Sequence, residues 1–255
     1  MKNYLIILFS TFLMTMNAQN KEILYKDGEQ VLKGQLAVPK KTRKDQAAVL
    51  ILPAWMGVSD HTKQVAEKIA QLGYHAFVAD IYGEGNNPKN TKEAGEKAGF
   101  YKNNIQAYQN RIALGLQELI NQGANPDKIV IIGYCFGGTG ALEAARAKMK
   151  VRGVVSFHGG LGKDEKRTIE TLDAKILVLH GADDPFVSKT EIENFQNEMR
   201  AANADWQMIY YADAVHAFTE KAAGNDKSRG AAYNEKADKR SFEHFLMFLK
   251  EVLEP

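Results

Sequence analysis

Residues 133–138 read Gly133-Tyr134-Cys135-Phe136-Gly137-Gly138. They follow the apolar run Ile129-Val130-Ile131-Ile132 and precede Thr139-Gly140-Ala141-Leu142-Glu143-Ala144-Ala145, which is rich in small side chains. The first segment reads as a buried strand and the second as a helix. The two must therefore join through one sharp turn. A turn that tight forces an unusual backbone angle at its apex and brings the helix almost onto the strand. Glycine two positions before the apex and two after it removes the side chains that would collide.

Cys135 occupies the apex, and it is the single cysteine of the chain. A lone cysteine in a glycine-rich turn is ordinarily a small, partly buried hydrophobe. The strand before it and the helix after it, however, are the setting of the nucleophile elbow, G-x-S-x-G, here with sulfur in place of the serine oxygen. Two further residues bear on the choice. The apolar run Ile176-Leu177-Val178-Leu179 leads into His180-Gly181-Ala182-Asp183-Asp184-Pro185-Phe186-Val187. The segment Trp206-Gln207-Met208-Ile209-Tyr210-Tyr211 leads into Ala212-Asp213-Ala214-Val215-His216. An acid and a histidine just past parallel strands sit at the carboxyl edge of a sheet, where open α/β folds build their sites. The order nucleophile, acid, histidine is that of α/β-hydrolase triads. Singly, a loop aspartate or a loop histidine is an ordinary surface residue; in this order they predict a catalytic triad.

Gly-Tyr-Cys-Phe-Gly-Gly, Asp184-Pro185-Phe186-Val187 and Val215-His216-Ala217-Phe218, together with Ala79-Asp80-Ile81-Tyr82-Gly83, resemble the dienelactone hydrolase family, a cysteine-nucleophile branch of the α/β-hydrolases. The resemblance runs from about Val49 to the C-terminal helix. It implies an α/β-hydrolase fold and a triad of Cys135, Asp184 and His216, with Asp184 preferred over Asp183. The Phe136 amide follows the nucleophile and supplies one oxyanion donor; by family position Trp55 supplies the other. The family's glutamate that pairs with the resting thiol falls on Ala54. Two arginines that hold a substrate carboxylate fall on Glu84 and Glu220, which reverses the charge expected around an anionic substrate. Tyr82, Tyr134, Phe186 and Phe218 are candidate pocket walls, and equally candidate core residues.

The expected chemistry is hydrolysis of an ester, lactone or thioester through a thioester acyl-enzyme. Alternatives are acyl transfer on the same scaffold and a non-catalytic binding protein that keeps the fold. A thiol redox role is disfavoured by the lack of a resolving cysteine. A metal site from His180, Asp183, Asp184 and His216 is conceivable on residue type alone, but a triad accounts for the same residues. No cofactor or metal is expected.

The chain has 255 residues with 33 basic and 31 acidic side chains. That is enough for one full α/β core, and the near balance of charge gives no sign of nucleic-acid binding. The expected partner is a small ester or lactone, with the chain monomeric. Met1-Lys2-Asn3, an apolar stretch from Tyr4 to Met14 and Met16-Asn17-Ala18 read as a secretory signal cleaved after Ala18; the alternative is an uncleaved membrane anchor, for which the apolar run is short. Residues 19–255 would then form a single exported domain, periplasmic or extracellular, with no stable membrane association.

Alternation at residues 23–25 and 31–38 predicts an N-terminal hairpin around Asp27-Gly28. Residues 49–52, 76–79, 129–132, 154–157, 176–179 and 208–211 read as a mostly parallel sheet covered on both faces. Ser59 can cap a helix carrying Val65, Ile69 and Leu72. Tyr101, Ile105, Tyr108, Ile112, Leu116 and Leu119 predict one long helix, and Phe242, Phe245, Leu246, Leu249 and Val252 a last one. No loop is long enough for a large lid.

Overall fold

The computed structural model describes residues 19–254. The predicted secretory signal lies outside the described residues. The N-terminal hairpin is present as β1 (Gln19–Asp27) and β2 (Gln30–Val38), joined at Gly28 with φ 56°. The remaining strands are β3 (Ala48–Leu52), β4 (His75–Val78), β5 (Ile129–Tyr134), β6 (Gly153–Phe157), β7 (Lys175–Gly181) and β8 (Trp206–Tyr211). All eight make one sheet in the order β1-β2-β4-β3-β5-β6-β7-β8. β1 and β2 pair antiparallel with each other, β2 pairs antiparallel with β4, and β3 to β8 run parallel. Every residue of β3, β4, β5 and β6 is buried, which explains their unbroken apolar sequences.

Among the described residues six α-helices cover the two faces. Helices α1 (Asp60–Gln71) and α6 (Glu235–Leu253) pack Val65, Ile69, Phe245 and Leu249 against one side of the sheet. Helices α3 (Ile105–Asn121), α4 (Phe136–Arg146) and α5 (Lys189–Ala201) pack Tyr108, Ile112, Leu142 and Phe195 against the other, with α2 (Thr91–Asn103) beside them. Ser59 caps α1 in a capping box with Thr62. Among the described residues no large lid covers the strand ends.

The single long helix predicted through Tyr101 and Leu119 is instead two. Asn104 leaves helical geometry with φ −121° and ψ 67°. Its side-chain amide donates to the Phe100 carbonyl at 2.8 Å, closing α2, while its own carbonyl accepts from Tyr108 N–H and opens α3. A short amide side chain that bonds its neighbouring backbone ends a helix in this way. The spacing misled because Tyr101 and Tyr108 still meet in one core cluster, with ring centroids 5.9 Å apart.

Candidate active site

The carboxyl ends of β5, β7 and β8 bring the predicted residues together. At the end of β5, Cys135 adopts φ 53° and ψ −113°, a conformation strained for a residue with a side chain and costing about 1–3 kcal/mol. The strain is held because β5 and α4 nearly touch. A Cβ at Gly133 would lie 1.9 Å from the Gly137 carbonyl oxygen, and one at Gly137 would lie 2.1 Å from the Leu52 carbonyl oxygen. Only glycine fits at either place. The Cys135 N–H bonds the Phe157 carbonyl, and its carbonyl accepts from Thr139 N–H. As the N-cap of α4, Cys135 is followed by Phe136, the first helical residue, whose N–H has no carbonyl one turn earlier within the helix.

His216 Nε2 lies 3.1 Å from Cys135 Sγ, and His216 Nδ1 lies 2.8 Å from Asp184 Oδ2. Asp184 is buried and its other oxygen accepts from Phe186 N–H at 2.9 Å, so the carboxylate is aimed from both sides. Asp183 is exposed and takes no part; its N–H bonds the Ala214 carbonyl. Nor do His180 and Asp183 join the pair as metal ligands: among the described residues no group of three or more His, Cys, Asp or Glu side chains is arranged to hold a metal. The loop carrying His216 is fixed by backbone bonds to Gly230 and Ala232 and by the unusual φ of 55° at Ala217.

Burial works against a charged His216. The hydrogen bonds and charges of Asp184 and Cys135 outweigh it and push the imidazole up to about 10. The imidazole should therefore stay protonated through neutral pH and lose its proton only as pH rises toward 10. Asp184→Asn should bring the midpoint down. An NMR titration of the His216 ring protons in both proteins measures this; an ordinary midpoint in the wild type, unmoved by Asp184→Asn, contradicts it.

Tyr82 is buried, and its role is a brace rather than an open wall. Its hydroxyl donates to the Trp55 carbonyl at 2.8 Å, and its ring stacks on Phe136, which in turn stacks on Tyr108 at 4.5 Å. The brace is set by Asp80, whose carboxylate accepts from the N–H groups of Lys33, Tyr82 and Gly83. Trp55 and Met56 stand partly exposed after β3, and Phe186, 60% exposed, sets its ring edge-on to His216 at 5.4 Å. All three are exposed apolar side chains at the carboxyl edge of the sheet, and Phe186 is the one in contact with the site. Ala54 is buried and offers no carboxylate.

Two expected pocket residues fall elsewhere. Phe218 is fully buried against Tyr211 and His158, because the loop after His216 folds back into the core. Glu84 is exposed and pairs with Lys33 of the hairpin at 3.6 Å, so its charge is turned to solvent and partly matched. Glu220 and Tyr134 do line a cavity, beside His61 and Asp238. Sequence reasoning missed His158. It ends β6 in a strained conformation with φ 40°, is fully buried, and lies edge-on to His216 at 5.3 Å. Its Nε2 is paired with the Thr219 hydroxyl at 2.8 Å. Burial and then the charge of His216 hold it well below its ordinary pKa, so it backs the imidazole as a neutral ring. Its place after a buried strand was the available signal.

The sequence profile of the dienelactone hydrolase family matches residues 32–253. The chain belongs to that family. It is an enzyme of the hydrolase class, and its fold is that of the α/β-hydrolases. The chain is 40% identical over 127 residues to an uncharacterised Caenorhabditis elegans protein, covering 49% of this chain and 80% of the relative. It is 27% identical to a Bradyrhizobium sp. protein named "Probable 2-oxo-3-(5-oxofuran-2-ylidene)propanoate lactonase", over 68% of this chain and 73% of that one. Among solved structures, a dienelactone hydrolase-like promiscuous phosphotriesterase from metagenomic libraries superposes with a TM-score of 0.87 at 29% identity, covering 92% of this chain and 99% of that chain.

Proposed function

We propose that this hydrolase cleaves a carboxylic ester, lactone or thioester through Cys135, His216 and Asp184, by way of a thioester acyl-enzyme. The observation that carries this reading is the unbroken relay of 3.1 Å from sulfur to imidazole and 2.8 Å from imidazole to buried carboxylate, at a strained elbow. The Cys135 thiolate adds to the carbonyl carbon, and the carbonyl π pair moves onto oxygen. The Phe136 and Trp55 amides are the proposed donors to that oxyanion. When the tetrahedral adduct collapses, the bond from that carbon to the leaving oxygen (sulfur in a thioester) breaks, and His216 Nε2 hands its proton to the departing atom. The neutral imidazole then takes a proton from water, whose oxygen attacks the thioester; the acid departs and the thiolate–imidazolium pair returns. Asp184 keeps Nδ1 as the donor toward itself and stabilises the cation.

The lactonase name of the Bradyrhizobium relative supports a lactone among the substrates. The exposed apolar ring of Phe186 against His216 supports an apolar group next to the scissile bond. A secretory signal over residues 1–18 would make the enzyme an exported one. The reading is tested with a panel of neutral and charged esters, a lactone and a thioester. The expected result is turnover of neutral members, lost in proportion as iodoacetamide alkylates Cys135. Turnover that survives full alkylation removes the sulfur from the chemistry.

A further inference from the structure

Between α1 and α6, next to the His216 loop, lies a cavity of about 370 Å³. That is within the range of about 300–1,000 Å³ in which small ligands are held. Its floor carries hydrogen-bonding groups that the protein does not use. Tyr134 is 2% exposed, yet its hydroxyl makes no hydrogen bond among the described residues. The Nε2 of His61 is buried without a partner. The Glu220 carboxylate has neither a hydrogen bond nor an ion pair among the described residues, and the Asp238 carboxylate is met only by the Tyr233 hydroxyl at 3.1 Å. Phe242 and Val65 supply apolar wall.

The two carboxylates can only accept, the Tyr134 hydroxyl can accept as well as donate, and the neutral His61 ring accepts at Nε2 when Nδ1 holds the proton. Burial drives His61 down to about 4, so the ring is neutral at pH 7 and adds no positive charge. Burial also raises the pKa of Glu220 and of Asp238, and the charges of Lys68, Lys221 and Lys239 near Asp238 do not outweigh it. The nearby lysines do not fill the gap. Lys239 bonds Glu235, Lys68 sits over the Phe242 ring at 5.6 Å, Lys221 sits over the Tyr233 ring at 6.0 Å, and all three are exposed to screening solvent. An anion would face two carboxylates. A hydroxyl offers one donor, whereas an ammonium offers three and a full charge.

We propose that this cavity binds a protonated amine, held by Glu220 and Asp238 with Tyr134 and His61 as further acceptors. The amine is either part of the ester substrate or a separate small ligand seated against the loop that follows His216. Only the first of these rests on the hydrolase reading above; the binding itself does not.

The test has a binding arm and a turnover arm. Butylammonium, butanol and butyrate are titrated into the full chain by calorimetry. Saturable binding is expected for butylammonium alone. Glu220→Gln should weaken it by about tenfold or more, and Tyr134→Phe by about fivefold. Circular dichroism checks that both variants fold. Cys135→Ala should bind as the wild type does. In the turnover arm, ethyl 4-aminobutanoate is compared with ethyl pentanoate. If Glu220→Gln lowers kcat/KM for the amino ester alone, the amine arrives on the substrate. If both esters respond alike while butylammonium binding is lost, the amine is a separate ligand. Either result keeps the site. Equal binding of butanol or butyrate, no binding of butylammonium, or an affinity unchanged in both variants overturns it. A protein that binds butylammonium yet hydrolyses no ester keeps the cavity proposal and removes the hydrolase reading.

Discussion

Replacing Cys135 by alanine should lower ester hydrolysis by about a thousandfold or more, on the scale of losing a covalent nucleophile. The fold should persist. Alanine keeps the Cβ, so the backbone strain at φ 53° is unchanged, and the glycines that permit the close approach of β5 and α4 remain. The sulfur is partly exposed and makes one hydrogen bond, to His216. Circular dichroism and the urea midpoint should therefore stay close to wild type while kcat collapses. A variant that folds and keeps more than about a tenth of the activity would reject sulfur as the nucleophile. Loss of fold together with activity would mean that Cys135 is needed for packing, contrary to its position at the surface of the turn.

The second large effect is expected at Asp184. Asp184→Asn keeps the shape of the side chain but turns an acceptor of the Nδ1 proton into a group that can present N–H instead. The imidazole then loses both its fixed tautomer and the partner of its charge. A loss of about a hundredfold or more in kcat is expected, with KM little changed. Asp183→Asn is the internal control. Its side chain is exposed and bonds nothing in the site, so activity should stay within about twofold. Parallel kinetics of the two variants decide the matter. Equal losses, or the larger loss at Asp183, move the acid by one position and with it the geometry of the relay.

The parts of the site that could be read from the sequence were those fixed by local chemistry. The elbow announces itself because glycine is the only residue that fits where β5 and α4 approach within about 2 Å of a hypothetical Cβ. His216 and Asp184 follow runs of apolar residues, and a run of that kind ends at one edge of a parallel sheet. The strands themselves were legible for the same reason, since β3 to β6 are buried along their whole length. What was not legible depends on distant partners. Glu84 looks like a pocket residue by position, but Lys33, 51 places earlier, draws it to the surface. Phe218 looks like a wall beside His216, but the loop turns it inward onto Tyr211 and His158. The cavity joins His61 from α1 to Asp238 from α6, and no local pattern links two helices so far apart. Asn104 breaks a helix whose apolar spacing continues through the break, because the periodicity reports burial and the break reports hydrogen bonding.

Glu220 and Glu84 also show how a charge read by position must be weighed by surroundings. An exposed carboxylate paired at 3.6 Å contributes little field at a site, because solvent and its partner screen it. A half-buried carboxylate with no partner acts over a longer reach. A preference against anionic substrates is therefore expected from Glu220 alone: Glu84→Gln should leave the ratio of neutral to anionic turnover unchanged while Glu220→Gln shifts it.

Acyl groups are expected to pass through a thioester on Cys135. Intact-protein mass spectrometry during the first turnovers of 4-nitrophenyl acetate tests it most directly. One added acetyl group is expected, mapped by proteolysis to the peptide containing Cys135, released by hydroxylamine and absent from Cys135→Ala. An active enzyme whose acetyl group maps to any other side chain, or that forms the same adduct in Cys135→Ala, would contradict it.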